Sequence, residues 1–260
     1  MSPSLTLLLV AALSQADPTP ESLYETLVSA DHWRQQAEAV HALGDLGEAG
    51  LPLLIRGAQH DSEKVQDWCY RELFDKFADH PETAQAVLRG LGSEHHRIRY
   101  SCCFFAGTQK IESAKQKLRE IYRADKDLKL TAAKSLAQLG EPDVIRTLYL
   151  SAGSDYYMER YQANLGLKAL SGRDLGDFED EADGYNWGEG AFVSGGNEAR
   201  MALRPIEDAE QKAQRYTALA AWSRWLKQEK PELYAVLDPN VERPLPKQRQ
   251  FEQADDSAKN

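Results

Sequence analysis

The chain has 260 residues, 42% of them hydrophobic and 28% charged, a mix that excludes collagen, a coiled-coil rod and wholesale disorder. Its 41 acidic against 31 basic side chains give a formal net charge of -10, which argues against a general nucleic-acid binder and against affinity for anionic membrane surfaces. Three cysteines, Cys69, Cys102 and Cys103, are too few and too oddly numbered for a disulfide framework.

At the N-terminus, Leu5 to Leu13 form an apolar run of signal-peptide length, followed by the small-x-small site Ser14-Gln15-Ala16. Residues 1–16 are therefore expected to be a signal peptide, with cleavage after Ala16 and an exported, periplasmic or extracytoplasmic product. The stretch Met1 to Ser4 lacks Lys and Arg, so an apolar first helix of a cytoplasmic protein remains the alternative. The run is shorter than the ~20 residues a bilayer span needs, and no stable membrane insertion is expected.

From there to residue 172 the sequence repeats itself. Five segments place a polar or basic anchor, a small residue at +3, and mostly apolar residues at +7 and +10. They run Gln36, Ala39, Leu43, Leu46; Gln66, Cys69, Leu73, Lys76; Arg99, Cys102, Ala106, Gln109; Lys129, Ala132, Leu136, Leu139; and Arg160, Ala163, Leu167, Leu170. Successive anchors lie 30, 33, 30 and 31 residues apart. These offsets share one side of an α-helix, whereas a strand would alternate. A break comes next at Gly47, His80-Pro81, Gly107 or Gly140-Glu141-Pro142, and then a second amphipathic helix. Its apolar pairs are Gly50 with Leu54, Ala84 with Leu88, Ala114 with Leu118, and Val144 with Leu148. Caps at Asp61-Ser62, Ser93-Glu94, Asp125 and Asp155 restart the cycle. Two helices and two turns in ~30 residues predict an all-α fold, an α-solenoid of about five helical pairs, with a helix over 21–30 ahead of it.

The run Leu128-Lys129-x-x-Ala132-Ala133-x-x-Leu136-x-x-Leu139-Gly140, echoed by Ile98-Arg99-x-x-Cys102-Cys103, resembles the HEAT-repeat family, specifically its short bacterial repeats. The likeness covers about residues 31 to 172 of the expected solenoid, 17–172. The period is shorter than the ~40 to 47 of longer HEAT and armadillo repeats, and neither the ankyrin nor the tetratricopeptide motif is present.

Beyond Gly172 the periodicity stops. The stretch Asp174 to Glu189 holds seven carboxylates and no Lys or Arg, and Gly184, Gly188, Gly190, Gly195 and Gly196 punctuate the region, so residues 173–204 read as an acidic insertion loop. Helix is expected to resume near Ile206 after Pro205. Over 205–237, Ala218, Leu219, Trp222, Trp225 and Leu226 fall on one stripe suited to capping the last repeat. Residues 238–260, rich in Pro, Gln and Asp, read as a disordered tail.

No nucleophile elbow, P-loop, zincin or paired-cysteine motif occurs, so no catalytic residues, metal or cofactor are expected. Deoxyhypusine hydroxylase, a HEAT-like enzyme, takes its iron ligands from His-Glu dipeptides, and the chain has none. His95-His96 are neighbours on a helix, about 100° apart, and read as surface or capping residues. The segment Glu179-x-Glu181-x-Asp183-Gly184 resembles an EF-hand start, but its twelfth position would fall on Gly190. Cys69 and Cys102 take the small-residue position of their repeats, in stacked helices too far apart for a disulfide, and read as buried hydrophobes.

Two surface features stand out. Position +2 carries Glu38, Trp68, Ser101, Thr131 and Gln162, which makes Trp68 the aromatic exception and a candidate contact. On the second helices Arg89 and Arg119 share a repeat position, with Arg56 and Arg146 near it, all expected to face solvent. In HEAT solenoids the second helices line the concave surface, so the resemblance implies a groove lined by these arginines. The expected function is a non-enzymatic protein-binding scaffold for a protein or peptide partner, acidic in the version the arginines favour, with no nucleic-acid partner. The resemblance also implies rivals: an accessory enzyme of the phycobilin-lyase-like class, or a DNA-repair glycosylase, which the acidic balance opposes. Export has a direct check. Intact-mass analysis of protein from its own host is expected to show a chain beginning at Asp17, and recovery of the full chain from cytosol would remove the signal peptide from the account.

Overall fold

The computed structural model describes residues 18–176 and 209–237. The signal-peptide segment 1–16, the loop residues from 177 to 204 with Glu179, Glu181 and Asp183, and the tail 238–260 lie outside the described residues. Within them the fold is all-α: twelve α-helices, three short 3-10 turns and no strand.

The five anchors of the repeat begin or lie in five helices: α2 (Trp33–Asp45), α4 (Glu63–Lys76), α6 (His96–Thr108), α8 (Lys129–Gln138) and α10 (Tyr157–Ser171). Between them run α3 (Leu51–Gly57), α5 (Pro81–Gly90), α7 (Lys115–Ala124) and α9 (Ile145–Ala152). Helix α1 (Pro20–Ser29) comes first, and α11 (Ala209–Glu229) and α12 (Pro231–Tyr234) come last. The chain divides into two compact units between Thr83 and Ala84. In the first, α2 packs on α1, α3 and α4; in the second, α8 packs on α6, α7, α9 and α10.

The start of α1 is set by Thr19, whose hydroxyl oxygen accepts the Ser22 N–H at 3.2 Å, and by Pro20 in the first turn. Histidines do the same work elsewhere. The Nδ1 atoms of His32, His60 and His80 accept the backbone N–H two residues on, from Arg34 at 3.2 Å, Ser62 at 3.0 Å and Glu82 at 3.2 Å. Ser93 Oγ accepts from His95 N, and Asp125 Oδ1 accepts from Asp127 and Leu128, each at 3.1 Å. Asp155 is different from the expected cap: it bonds Lys212 and Arg215 of α11.

Three of the five anchors have a shared role. Gln66 Nε2 donates to the carbonyl of His60 at 2.6 Å, Arg99 to that of Ser93 at 2.9 Å, and Arg160 to that of Ser154 at 3.0 Å, each reaching six residues back. A long donor at the anchor therefore ties each of these helices to the turn before it, which satisfies a carbonyl in a tight corner. At +3, Ala39, Cys69, Cys102, Ala132 and Ala163 are all buried, and so are Leu43, Leu73, Ala106, Leu136 and Leu167 at +7. All three cysteines are free and buried, and burial pushes the Cys69 and Cys103 thiols up to about 12, which leaves them inert.

Four further expectations change. Leu46 is 41% exposed, because α2 ends there and its N–H bonds the Ala42 carbonyl as the chain turns out at Gly47. Ala84 and Leu88 are only half-buried; α5 starts at Pro81 and turns Thr83, Ala86 and Val87 inward instead. Gly107 does not break α6, which runs on to Thr108, and the left-handed residue is Lys110 at φ 51°. Its counterparts eleven residues after their anchors, Gly47 and Gly140, have φ of 58° and 80°, the conformation that ends a helix and favours glycine. Asp174, placed at sequence level in the loop, is tied down by Asn164 at 2.8 Å and Lys168 at 3.0 Å, and Leu175 beside it is buried.

Gly107 has another duty, since a Cβ there would stand 2.5 Å from Ser135 Cα and 2.7 Å from Ser135 Cβ on α8. Gly44 plays the same part in the first unit, where a Cβ would overlap the Glu72 carboxylate of α4. Replacing Gly107 with Ala gains ~1 kcal/mol of helix propensity but overpacks this contact. Gly107→Ala is expected to lower stability by a net ~1 to 3 kcal/mol, read as a lower midpoint of urea unfolding.

Candidate interaction site

The described stretches of the two units carry opposite charge. Residues 18–83 hold 13 Asp or Glu and 5 Lys or Arg, whereas residues 84–173 hold 9 and 15. Net charge of this kind attracts or repels a partner over about a Debye length before any contact forms.

Arg89, Arg119 and Arg146 belong to the second unit and are exposed, as their helical offset requires. They are not equivalent. Arg119 bonds the Glu141 carboxylate, which also takes Lys115 Nζ at 3.4 Å, and those cations hold the Glu141 carboxyl below its ordinary range. Arg89 stands at the last turn of α5, and the Lys117 ammonium comes within 3.1 Å of where a Cβ on Gly92 would be, beside the end of the same helix. A cation there complements the helix C-terminus. Arg56 lies in the first unit, where its guanidinium covers the Tyr24 ring of α1 at 4.6 Å.

Trp68 is half-buried on α4. Its ring meets His41 edge-on with centroids 6.4 Å apart, and the Arg71 guanidinium lies 5.9 Å from its centre. Position +2 is not the uniform surface position that the sequence indicates. Glu38 is exposed and Ser101 half-buried, but Thr131 and Gln162 are buried and bonded to each other at 2.9 Å, with Gln162 donating on to Tyr100 at 3.4 Å. Here the side chains at +2 approach one another from α8 to α10, so polarity at that position signals a buried ladder as readily as a wet face.

Two polar groups that sequence reasoning passed over lie between the first helices. Glu72 is 2% exposed, and its Oε2 lies 2.7 Å from Nδ1 of His41, a side chain 61% exposed. Its other oxygen is buried without a hydrogen-bond partner, and burial pushes the carboxyl up against the opposing hydrogen bond from His41. Lys134 on α8 is fully buried, with Nζ 3.3 Å from the centre of the Phe104 ring and no hydrogen-bond partner. Burial pulls its amine down to about 7, with the nearby Cys103 thiol acting the other way. The only signal in the sequence was a charged residue where the neighbouring positions, Thr131 to Ala137, are small or apolar.

At the far end of the second unit, Trp222 of α11 is buried and stacks on Tyr149 of α9 with centroids 5.9 Å apart. Arg215, also buried, donates to the Ser154 carbonyl at 2.7 Å, the same oxygen Arg160 uses. Ala218, Leu219 and Leu226 are buried alongside, while Trp225 is half-buried with Arg173 at 5.3 Å from its ring centre. Helix α11 thus covers the end of the α9 and α10 layer. His95 and His96 belong to no metal cluster, for no group of three or more potential ligands exists among the described residues. Nor is any described helix long and apolar enough to cross a membrane.

No family model and no curated protein matches the sequence.

Lys134 gives a signed prediction. Its folded value of about 7 lies below the ordinary 10.5, so between those limits the unfolded chain binds the extra proton and stability rises with pH. Below the window both states are protonated and the folded state carries an unpaired buried charge. Lys134→Met is expected to raise stability by ~1 to 3 kcal/mol near pH 6, and to remove the gain that the parent chain shows between pH 7 and 9 in urea unfolding.

Proposed function

We propose that the protein is a non-enzymatic, protein-binding scaffold: a HEAT-like α-solenoid of about five helical pairs that receives an acidic segment of a partner on the arginines of its second helices. An exported location belongs to the same proposal. The recurrence of contacts at fixed repeat offsets supports the solenoid. Three anchors reach six residues back, left-handed residues recur at +11 in three repeats, and a glycine at +8 meets the following first helix in each unit. Support for the acidic partner comes from one observation above all. Residues 84–173 carry 15 basic against 9 acidic side chains in a chain whose net charge is -10, and Arg89, Arg119 and Arg146 are exposed within that stretch.

The two repeat-equivalent arginines differ in what binding demands of them. Arg119 must exchange its Glu141 partner for a new carboxylate, so its net contribution is small. Arg89→Gln is therefore expected to weaken an acidic partner about three-fold and Arg119→Gln less, with the double variant about ten-fold weaker and the loss growing with added salt. Calorimetric titration of the full chain with a partner captured from the native host checks this. Affinity indifferent to both substitutions and to salt would remove the arginine face from the function.

A further inference from the structure

The face of α2 and α4 around His41 and Trp68 is built differently from the arginine face. We propose that it is a second contact surface, one that takes a lysine or arginine side chain from a basic segment of a partner protein. The inference rests on the scaffold reading only in supposing that the ligand is a polypeptide.

The arrangement begins with Gly44. A glycine inside a helix costs stability, and here it leaves the space that the Glu72 carboxylate fills, since any Cβ at that position would overlap it. Seated there, Glu72 holds His41 Nδ1 at 2.7 Å while the rest of the imidazole is turned to solvent. A carboxylate accepting from one ring nitrogen favours the tautomer with hydrogen on Nδ1. His41 Nε2 is then a hydrogen-bond acceptor, and a lysine or arginine N–H is its complement. Trp68 stands edge-on to that imidazole and presents an aromatic ring, which already lies near the Arg71 guanidinium at 5.9 Å. The exposed Glu38 lies one turn before His41 on the same helix face.

Charge selects the sign of the ligand. Residues 18–83 carry 13 acidic and 5 basic side chains, so the local field draws cations and repels acids. Two basic groups of α4 are engaged: Arg71 pairs with Asp67 at 3.1 Å and Lys76 with Asp45 at 3.2 Å. Asp75 acts on Glu72 from the next turn, while Tyr24 of α1 and Arg56 of α3 meet each other near Cys69, one turn before it. A cation and a proton compete for His41 Nε2. Affinity for the basic ligand therefore rises as a proton is removed from that nitrogen.

The test uses the full chain and two short acetylated, amidated probes, an alternating Ala-Lys peptide and its Ala-Glu counterpart, followed by calorimetry and by the NMR shifts of the His41 imidazole. The Ala-Lys probe is expected to bind, to shift His41, and to tighten as pH is raised. His41→Asn should weaken it about three-fold and abolish the pH dependence, and Trp68→Ala should weaken it by a similar factor. Glu72→Gln, which lets an amide donate to Nδ1 and so moves the hydrogen to Nε2, should also flatten the pH profile; Glu72 is a positioning residue. Asn retains an N–H that can donate to Glu72, so His41→Asn keeps the fold even if the Trp68 variant does not. Binding that ignores His41, tightens as pH falls, favours the Ala-Glu probe or fails altogether overturns the proposal. Arg89→Gln with Arg119→Gln leaves the Ala-Lys result unchanged, so failure here is separate from failure of the arginine face.

Discussion

Close approach between successive first helices is the constraint on which the rest depends. At Gly44 in one unit and Gly107 in the other, eight residues after the anchor, the helix has no Cβ, and the sixth residue after the next anchor, Glu72 or Ser135, occupies the space. Interiors packed at crystal density leave no tolerance for an added methyl group at such a point. The chemistry of the interface is then set by the residue at +6. Ser135 turns its hydroxyl to the Cys103 carbonyl at 2.6 Å, a neutral buried bond that closes the contact. Glu72 instead brings a carboxylate and holds a histidine with it.

That difference marks where the fold carries a cost it does not need. A buried carboxyl with one oxygen unpartnered and a buried amine against a phenyl ring both work against stability, because burial favours the neutral form of each. Apolar residues of similar size would pack better in either place, and departures of this kind cluster at functional positions. Of the two, Glu72 reaches the surface through His41, whereas Lys134 is enclosed by α8 and α6. The first can act on a ligand through His41; the second acts on the fold.

The charge distribution gives both proposals their direction. The net charge of -10 is unevenly spread: residues 18–83 carry an acidic excess and 84–173 a basic one, which the acidic residues beyond 173 offset. Partners of opposite sign can be attracted to different stretches of one chain. Long-range attraction of that kind sets encounter rates and salt dependence more than it sets final affinity, which falls to the few desolvated contacts.

By itself the sequence determined that the protein is helical and where its helices begin, because a four-point apolar pattern at 3.6-residue spacing is local and survives any tertiary arrangement. It also placed the arginines on the outward side of their helices, since Arg89 and Arg119 lie opposite the apolar stripe whatever that stripe packs against. Tertiary structure alone decided what each polar position was for. Arg160 and Gln66 were visible as polar anchors, but the carbonyls they satisfy lie across a turn whose path only the fold defines. Thr131 and Gln162 looked like surface residues until the packing of α10 on α8 buried them together. Gly107 looked like a break, because a glycine that permits a turn and a glycine that permits a close approach are the same letter. The pairing of His41 with Glu72, 31 residues apart, depends on two helices meeting at a glycine, and no local pattern encodes that distance.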